Sequence, residues 1–115
     1  MTARREARAT APPAAWAPVF AALGDETRLR LVARLCDRGP QSIAKLTAGS
    51  DVTRQAVAKH LRVMARAGLV RGARQGRESV WRLEPHRLED ARRHLEQISQ
   101  GWDEALGRLR RLVED

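Results

Sequence analysis

The apolar residues of this chain change their spacing twice, and that change restricts the fold more than any single motif. Up to Gly68 they recur every three or four residues, the mark of helices that bury one side. Leu31 and Leu35, with Leu29 or Val32, line one side of residues 27–37, and Val57, Leu61 and Met64 line residues 52–66. From Leu69 to Leu83 the period falls towards two, so residues 69–71 and 79–83 read as strands joined through Gly72 to Gly76. After Pro85 helical spacing returns. Leu88, Leu95, Trp102 and Leu109 fall seven apart, with Ala91, Ile98, Ala105 and Leu112 as a companion row three residues on. Such a double row predicts a helix–helix contact, either with the chain's own core, with a partner, or with both.

Punctuation residues divide the helical part. A short helix over 14–23 carries Trp16, Val19, Phe20 and Leu23 at helical spacing, with Pro18 expected near its start. Gly24 closes it and Asp25 is suited to cap the next helix, which Gly39-Pro40 ends. Residues 42–47 form a third, short helix with Ile43 and Leu46 inward. A tight turn over 48–51 follows, and Thr53 caps the fourth helix. Pro85 opens the long last helix. Residues 1–13, rich in Ala and Arg and ending in Pro12-Pro13, read as a disordered arm, which leaves residues 14–115 as one domain. Helix, short helix, turn, helix and hairpin, in that order, predict a mainly α fold with a small β-hairpin: a winged helix-turn-helix.

Charge points to the partner. The formal net charge is +8 and nearly every cation is arginine, Lys45 and Lys59 being the only lysines. A total of that kind can follow from coding bias, so placement carries the weight. Between Thr53 and Arg82 lie Arg54, Lys59, Arg62, Arg66, Arg71, Arg74, Arg77 and Arg82, opposed only by Glu78, whereas residues 83–115 are close to balanced. A concentrated cationic segment favours a polyanion, with nucleic acid ahead of an anionic membrane surface.

In a winged helix-turn-helix the second helix of the motif enters the major groove. Here that helix offers Thr53, Arg54, Gln55, Ala56, Lys59 and His60. Arg and Gln make bidentate contacts to base edges, and a small Ala admits a thymine methyl. Thr53, Lys59 and His60 suit phosphate contacts that set register. Arg74 and Arg77, near the hairpin end, are placed to reach a minor groove or its phosphates. Double-stranded DNA is therefore the expected partner. A module whose basic face binds protein or RNA is the alternative of a different class. Enzymatic function is not expected, because no paired carboxylates, phosphate-cradling glycines or nucleophile–base pair occur.

The stretch Phe20-Ala-Ala-Leu-Gly-Asp-Glu-Thr-Arg-Leu-Arg-Leu, followed by Gln55-Ala-Val-Ala-Lys-His-Leu and Ala67-Gly-Leu-Val, resembles the ArsR-type repressors. The resemblance covers Ala15 to about Leu83. It implies a homodimer built from the first and last helices, which would put Trp16, Phe20, Leu88, Leu95, Ile98, Trp102 and Leu109 at the interface. It also implies binding to an imperfect inverted repeat and repression of the chain's own operon until a signal releases the DNA.

The signal is less legible. Relatives that sense soft metals carry a cysteine pair on the helix before the reading helix; here that helix runs Ser42-Ile43-Ala44-Lys45-Leu46-Thr47. On the last helix His86, Asp90 and His94, with Glu89 and Glu96 nearby, depart from the ligand spacing of relatives that bind metal there. No metal and no cofactor is expected, with a metal-responsive repressor that uses this last-helix set as the alternative. Cys36, the only cysteine, is read as a small buried hydrophobe, with a redox role as its alternative. An unidentified small-molecule or redox effector remains open. A lone cysteine suits a reducing cytoplasm, and neither a membrane span nor a secretion signal is read.

Overall fold

The computed structural model describes residues 13–114 of the chain. Among these residues, five helices and three strands follow in order: α1 (Pro13–Leu23), α2 (Glu26–Arg38), β1 (Gln41–Ser42), α3 (Ile43–Ala48), α4 (Arg54–Arg66), β2 (Val70–Gln75), β3 (Glu78–Leu83) and α5 (Pro85–Glu114). The strands form one antiparallel sheet in the order β1-β3-β2. This is the winged helix-turn-helix arrangement, with α3 and α4 as the motif and β2–β3 as the wing.

The helix starts follow from capping chemistry. A helix leaves its first four N–H groups without backbone partners, and a short oxygen-bearing side chain in extended conformation satisfies one of them. Asp25 does so for α2 by accepting from Arg28 N at 3.0 Å. Ser42 accepts from Lys45 N at 3.2 Å to start α3, and Thr53 accepts from Ala56 N at 3.1 Å to start α4. The stops at Gly39 and Gly68 use left-handed backbone, φ +74° and +80°, which a side chain would strain.

The core gathers one face of each element. Val19 and Ala22 come from α1, Leu31 and Leu35 from α2, Leu46 from α3, and Val57, Leu61 and Met64 from α4; Leu69, Val70 and Ala91 complete it. Burying each of the larger side chains stabilises the fold by roughly 1.5–3 kcal/mol. Ser42 is the only buried polar residue among those described, and its Oγ is occupied by the α3 cap.

Arg34 fastens the motif to α2. Its Nη1 donates to Leu46 O at 2.8 Å and its Nη2 to Lys45 O at 2.9 Å, so one guanidinium covers carbonyls of α3. Gly49 leaves room for it, since a Cβ there would collide with that guanidinium.

Several expectations need correction. Helix α1 already includes Pro13, and Pro18 lies inside it rather than near its start. The predicted arm falls outside the described residues apart from Pro13. Strand β1, only two residues long, was not anticipated; it pairs Gln41 with Trp81 and Ser42 with Val80. The wing strands are longer than the alternation implied, because Gly72 to Gln75 continue β2. Gly72 sits opposite Trp81, whose ring occupies the space a Cβ would take at 3.0 Å. Only Gly76 and Arg77 form the turn, and a positive φ confined to Gly76 (+63°) matches a type II′ hairpin. Leu29 is half exposed, because it lies some 200° around the helix from Leu31. Cys36 is exposed too: one residue past buried Leu35, it is turned off the core face.

The last helix divides. Ala91 is buried, Leu88 packs against the core, and His94 stacks on Trp16 with ring centroids 4.3 Å apart. Beyond His94 the apolar rows face solvent, from Leu95 (54% exposed) through Ile98, Trp102 (64%), Leu106 and Leu109 to Leu112. A helix of 30 residues is about 45 Å long, and its free half helps give the molecule its 66 Å long axis.

Candidate nucleic-acid interface

Helix α4 is held by one face and offers the other. Val57, Leu61 and Met64 are fully buried, which fixes its rotation. Gln55, Lys59, Arg62 and Arg66, spaced by three and four residues on the opposite side, are all exposed. Arg54 and Thr53 are exposed at the start of the helix, and Ala56 is half-buried. None of Arg54, Gln55, Lys59 and Arg62 forms a hydrogen bond or ion pair among the described residues. Arg62 belongs to the same stripe as Gln55 and Lys59 and was not singled out from sequence. Its i, i+3, i+7 relation to those two was the available signal.

His60 differs from its expected place. It is half-buried and turned towards the α1–α2 junction, where its Nδ1 lies 3.3 Å from Arg28 Nη1 and 3.9 Å from Asp25 Oδ2. Arginine can only donate, so Nδ1 is the acceptor in that contact. Arg28 in turn donates from Nε to Ala22 O at 2.6 Å. Asp25 therefore caps α2 and faces two basic groups. The Arg28 backbone N–H chiefly, and then the charge of Arg28, hold its carboxyl below the ordinary value. This cluster ties the middle of α4 to the helices behind it, so His60 braces α4 rather than joining its exposed face.

The wing carries the second group of cations. Arg71, Arg74, Arg77 and Arg82 are all exposed. Arg71 and Arg82 face each other across the ladder, a like-charge pairing relieved by Glu84, whose Oε1 lies 3.0 Å from Arg71 Nε. Arg74, opposite Ser79, and Arg77, in the turn, have no acidic partner among the described residues.

Two carboxylates of the last helix, Glu89 and Glu96, are engaged in ion pairs. Arg92 bridges Glu89 and Glu96, and its hydrogen bond to Glu89 holds that carboxyl below its ordinary value. His86 is exposed, Asp90 and His94 are half-buried, and His94 is stacked on Trp16. Among the described residues, no group of three or more His, Cys, Asp or Glu side chains is arranged to hold a metal. No helix among them is long and apolar enough to cross a membrane.

A buried scaffold presenting a helix N-terminus with unpaired Arg, Gln and Lys, flanked by a basic two-stranded wing, defines a winged helix-turn-helix DNA-binding protein. Known proteins agree. A family model described as a helix-turn-helix domain matches residues 23–73. The HTH-type transcriptional regulator Rv2034 of Mycobacterium tuberculosis is 34% identical over 103 residues, spanning 90% of this chain and 89% of that protein. An ArsR-like transcriptional regulator from Rhodococcus sp. RHA1 superimposes with a TM-score of 0.72 at 39% identity, covering 86% of this chain and 92% of that one. A homodimeric winged helix-turn-helix DNA-binding domain from Mycobacterium bovis shares the fold at a TM-score of 0.58 and 23% identity, over 78% of this chain and 80% of that one. The chain belongs to the ArsR family of transcriptional regulators.

Proposed function

We propose that this regulator is a homodimeric repressor that reads an inverted-repeat operator with α4. The observation that carries the reading is the set of exposed, unpaired side chains at the start and along the outer face of that helix. Arg54 and Gln55 supply base contacts, while Lys59, Arg62 and the free hydroxyl proton of Thr53 supply phosphate contacts. Arg74 and Arg77 grip the flanking groove from the wing. Repression is steric, since a dimer spanning two half-sites covers the promoter that controls its own gene.

Dimerisation explains the free half of α5. Seven large apolar side chains from Leu95 to Val113 stand exposed on one helix, and a contiguous apolar surface of that kind marks an interface. The heptad spacing suits pairing with its counterpart in a second chain, with Trp16 and Phe20 of α1 alongside. The homodimeric assembly named for the M. bovis neighbour is consistent with this, as is the dyad of an inverted repeat.

Two measurements test the proposal. Passing the protein over genomic fragments and sequencing what stays bound should return a palindrome upstream of its own gene, with half-sites about one helical turn apart. Fragments retained with no sequence enriched over the input would overturn the reading. Trp102→Glu should give a monomer by light scattering, because it places a charge inside the seam. A variant that remains dimeric would remove α5 from the interface.

A further inference from the structure

A second site lies at the far end of α4 from its reading residues. There the wing, the last turn of α4 and the first turn of α5 enclose an open cleft of about 830 Å³, a volume typical of small-molecule sites. Its floor is apolar and low, with Ala65, Gly68 and Gly72 beside the flat ring of Trp81. Its rim is cationic. Arg71 is neutralised by Glu84, but Arg74 from the wing and Arg87 from α5 border the cleft without an acidic partner among the described residues. Arg54 and Arg66 are twelve residues apart, about 18 Å along the helix. Base reading at the start of α4 therefore gives no reason for an apolar cleft at its end, and a DNA phosphate has no use for such a floor.

We propose that this cleft binds an amphipathic anion, an aromatic carboxylate of one or two rings, and that its occupancy releases DNA. The ring system lies on the Gly72–Trp81 floor, and the carboxylate accepts from the guanidinium groups of Arg74 and Arg87. Arg74 is then engaged in the cleft and withdrawn from the DNA flank, so ligand and operator compete for one side chain. The release half rests on the wing contact proposed above. The binding half does not.

Calorimetric titration of the full chain with 2-naphthoate, in the absence of DNA, tests the binding half. Saturation at one site per chain is expected. Binding should be about tenfold weaker for the neutral analogue 2-naphthylmethanol and for Arg87→Gln, because each removes a charge-assisted contact. Ala65→Phe, which fills the floor, should bind none. Heats that do not saturate, equal affinity for acid and alcohol, or unchanged binding by both variants would overturn the site. Gel shifts with the selected operator test the other half. Saturating 2-naphthoate should lower operator affinity at least tenfold, and in Arg87→Gln the release should require about tenfold more ligand. Binding that saturates while operator affinity stays constant would overturn the release mechanism and leave the site standing.

Discussion

Arginines on α2 and arginines on α4 and the wing do opposite things in this molecule. Arg28 and Arg34 point back into the fold, donating to Ala22 O, Leu46 O and Lys45 O. Arg54, Arg62, Arg74 and Arg77 have no partner among the described residues. Charge alone cannot separate the two sets, since all are cations on a chain of net charge +8. Engagement separates them. A guanidinium fixed on backbone carbonyls stabilises the scaffold, and one left free on a rigid element is available to a polyanion. His60 sharpens the contrast, because it lies on α4 yet its Nδ1 belongs to the Arg28–Asp25 cluster.

Substitutions on the two sides should therefore fail differently. The largest loss of stability is expected from Arg34→Ala, which strips both charge-assisted bonds from α3 carbonyls and should cost about 3 kcal/mol in urea unfolding. Operator affinity should fall only with the folded fraction; a large affinity loss in a fully folded Arg34→Ala would erase the distinction. Arg54→Ala should leave the urea midpoint in place and cost about 1–3 kcal/mol of preference for the operator over other sequences in competition gel shifts. Lys59→Ala should weaken binding to operator and scrambled duplex alike, and lower the slope of log affinity against log salt by about one.

The smallest effect concerns pH. The Asp25 carboxyl is held below its ordinary value in the fold, so its contribution is fully present above the unfolded pKa of about 3.9 and is lost as pH falls through the lower, folded value. Asp25→Ser keeps a capping oxygen but does not titrate there. Urea midpoints at pH 6 and pH 3 should show a smaller acid loss for Asp25→Ser than for the parent chain. Equal losses would mean that the cluster contributes nothing through charge.

What could be read beforehand was local. The caps at Asp25 and Thr53, the α4 stripe of Val57, Leu61 and Met64, and the stop at Gly68 each depend on residues within one turn, and the structure places them as read. What escaped depends on distant partners or on phase. Strand β1 exists because Gln41 and Ser42 pair with β3, some forty residues on. His60 turns inward because Arg28 and Asp25 stand opposite it across the fold. Gly72 resembled a turn residue, whereas it stays in the strand to admit the Trp81 ring. Cys36 and Leu29 were misjudged by helical phase, as each is a residue or two off the Leu31–Leu35 face. For the proposed interface, the exposed face of α4 was legible because burial of Val57, Leu61 and Met64 leaves the other side out. The cleft behind the wing, assembled from three elements, had no sequence pattern of its own.

The central claim is that α4 distinguishes sequences through its first turn, and Gln55→Ala tests it most directly. Gln55 is exposed and has no partner among the described residues, so the variant should melt with the parent protein. Competition gel shifts with the selected operator and a scrambled duplex of equal length should show the preference for operator reduced by about tenfold or more, with affinity for the scrambled duplex little changed. A folded Gln55→Ala that keeps the full preference would contradict the assignment of α4 as the reading helix.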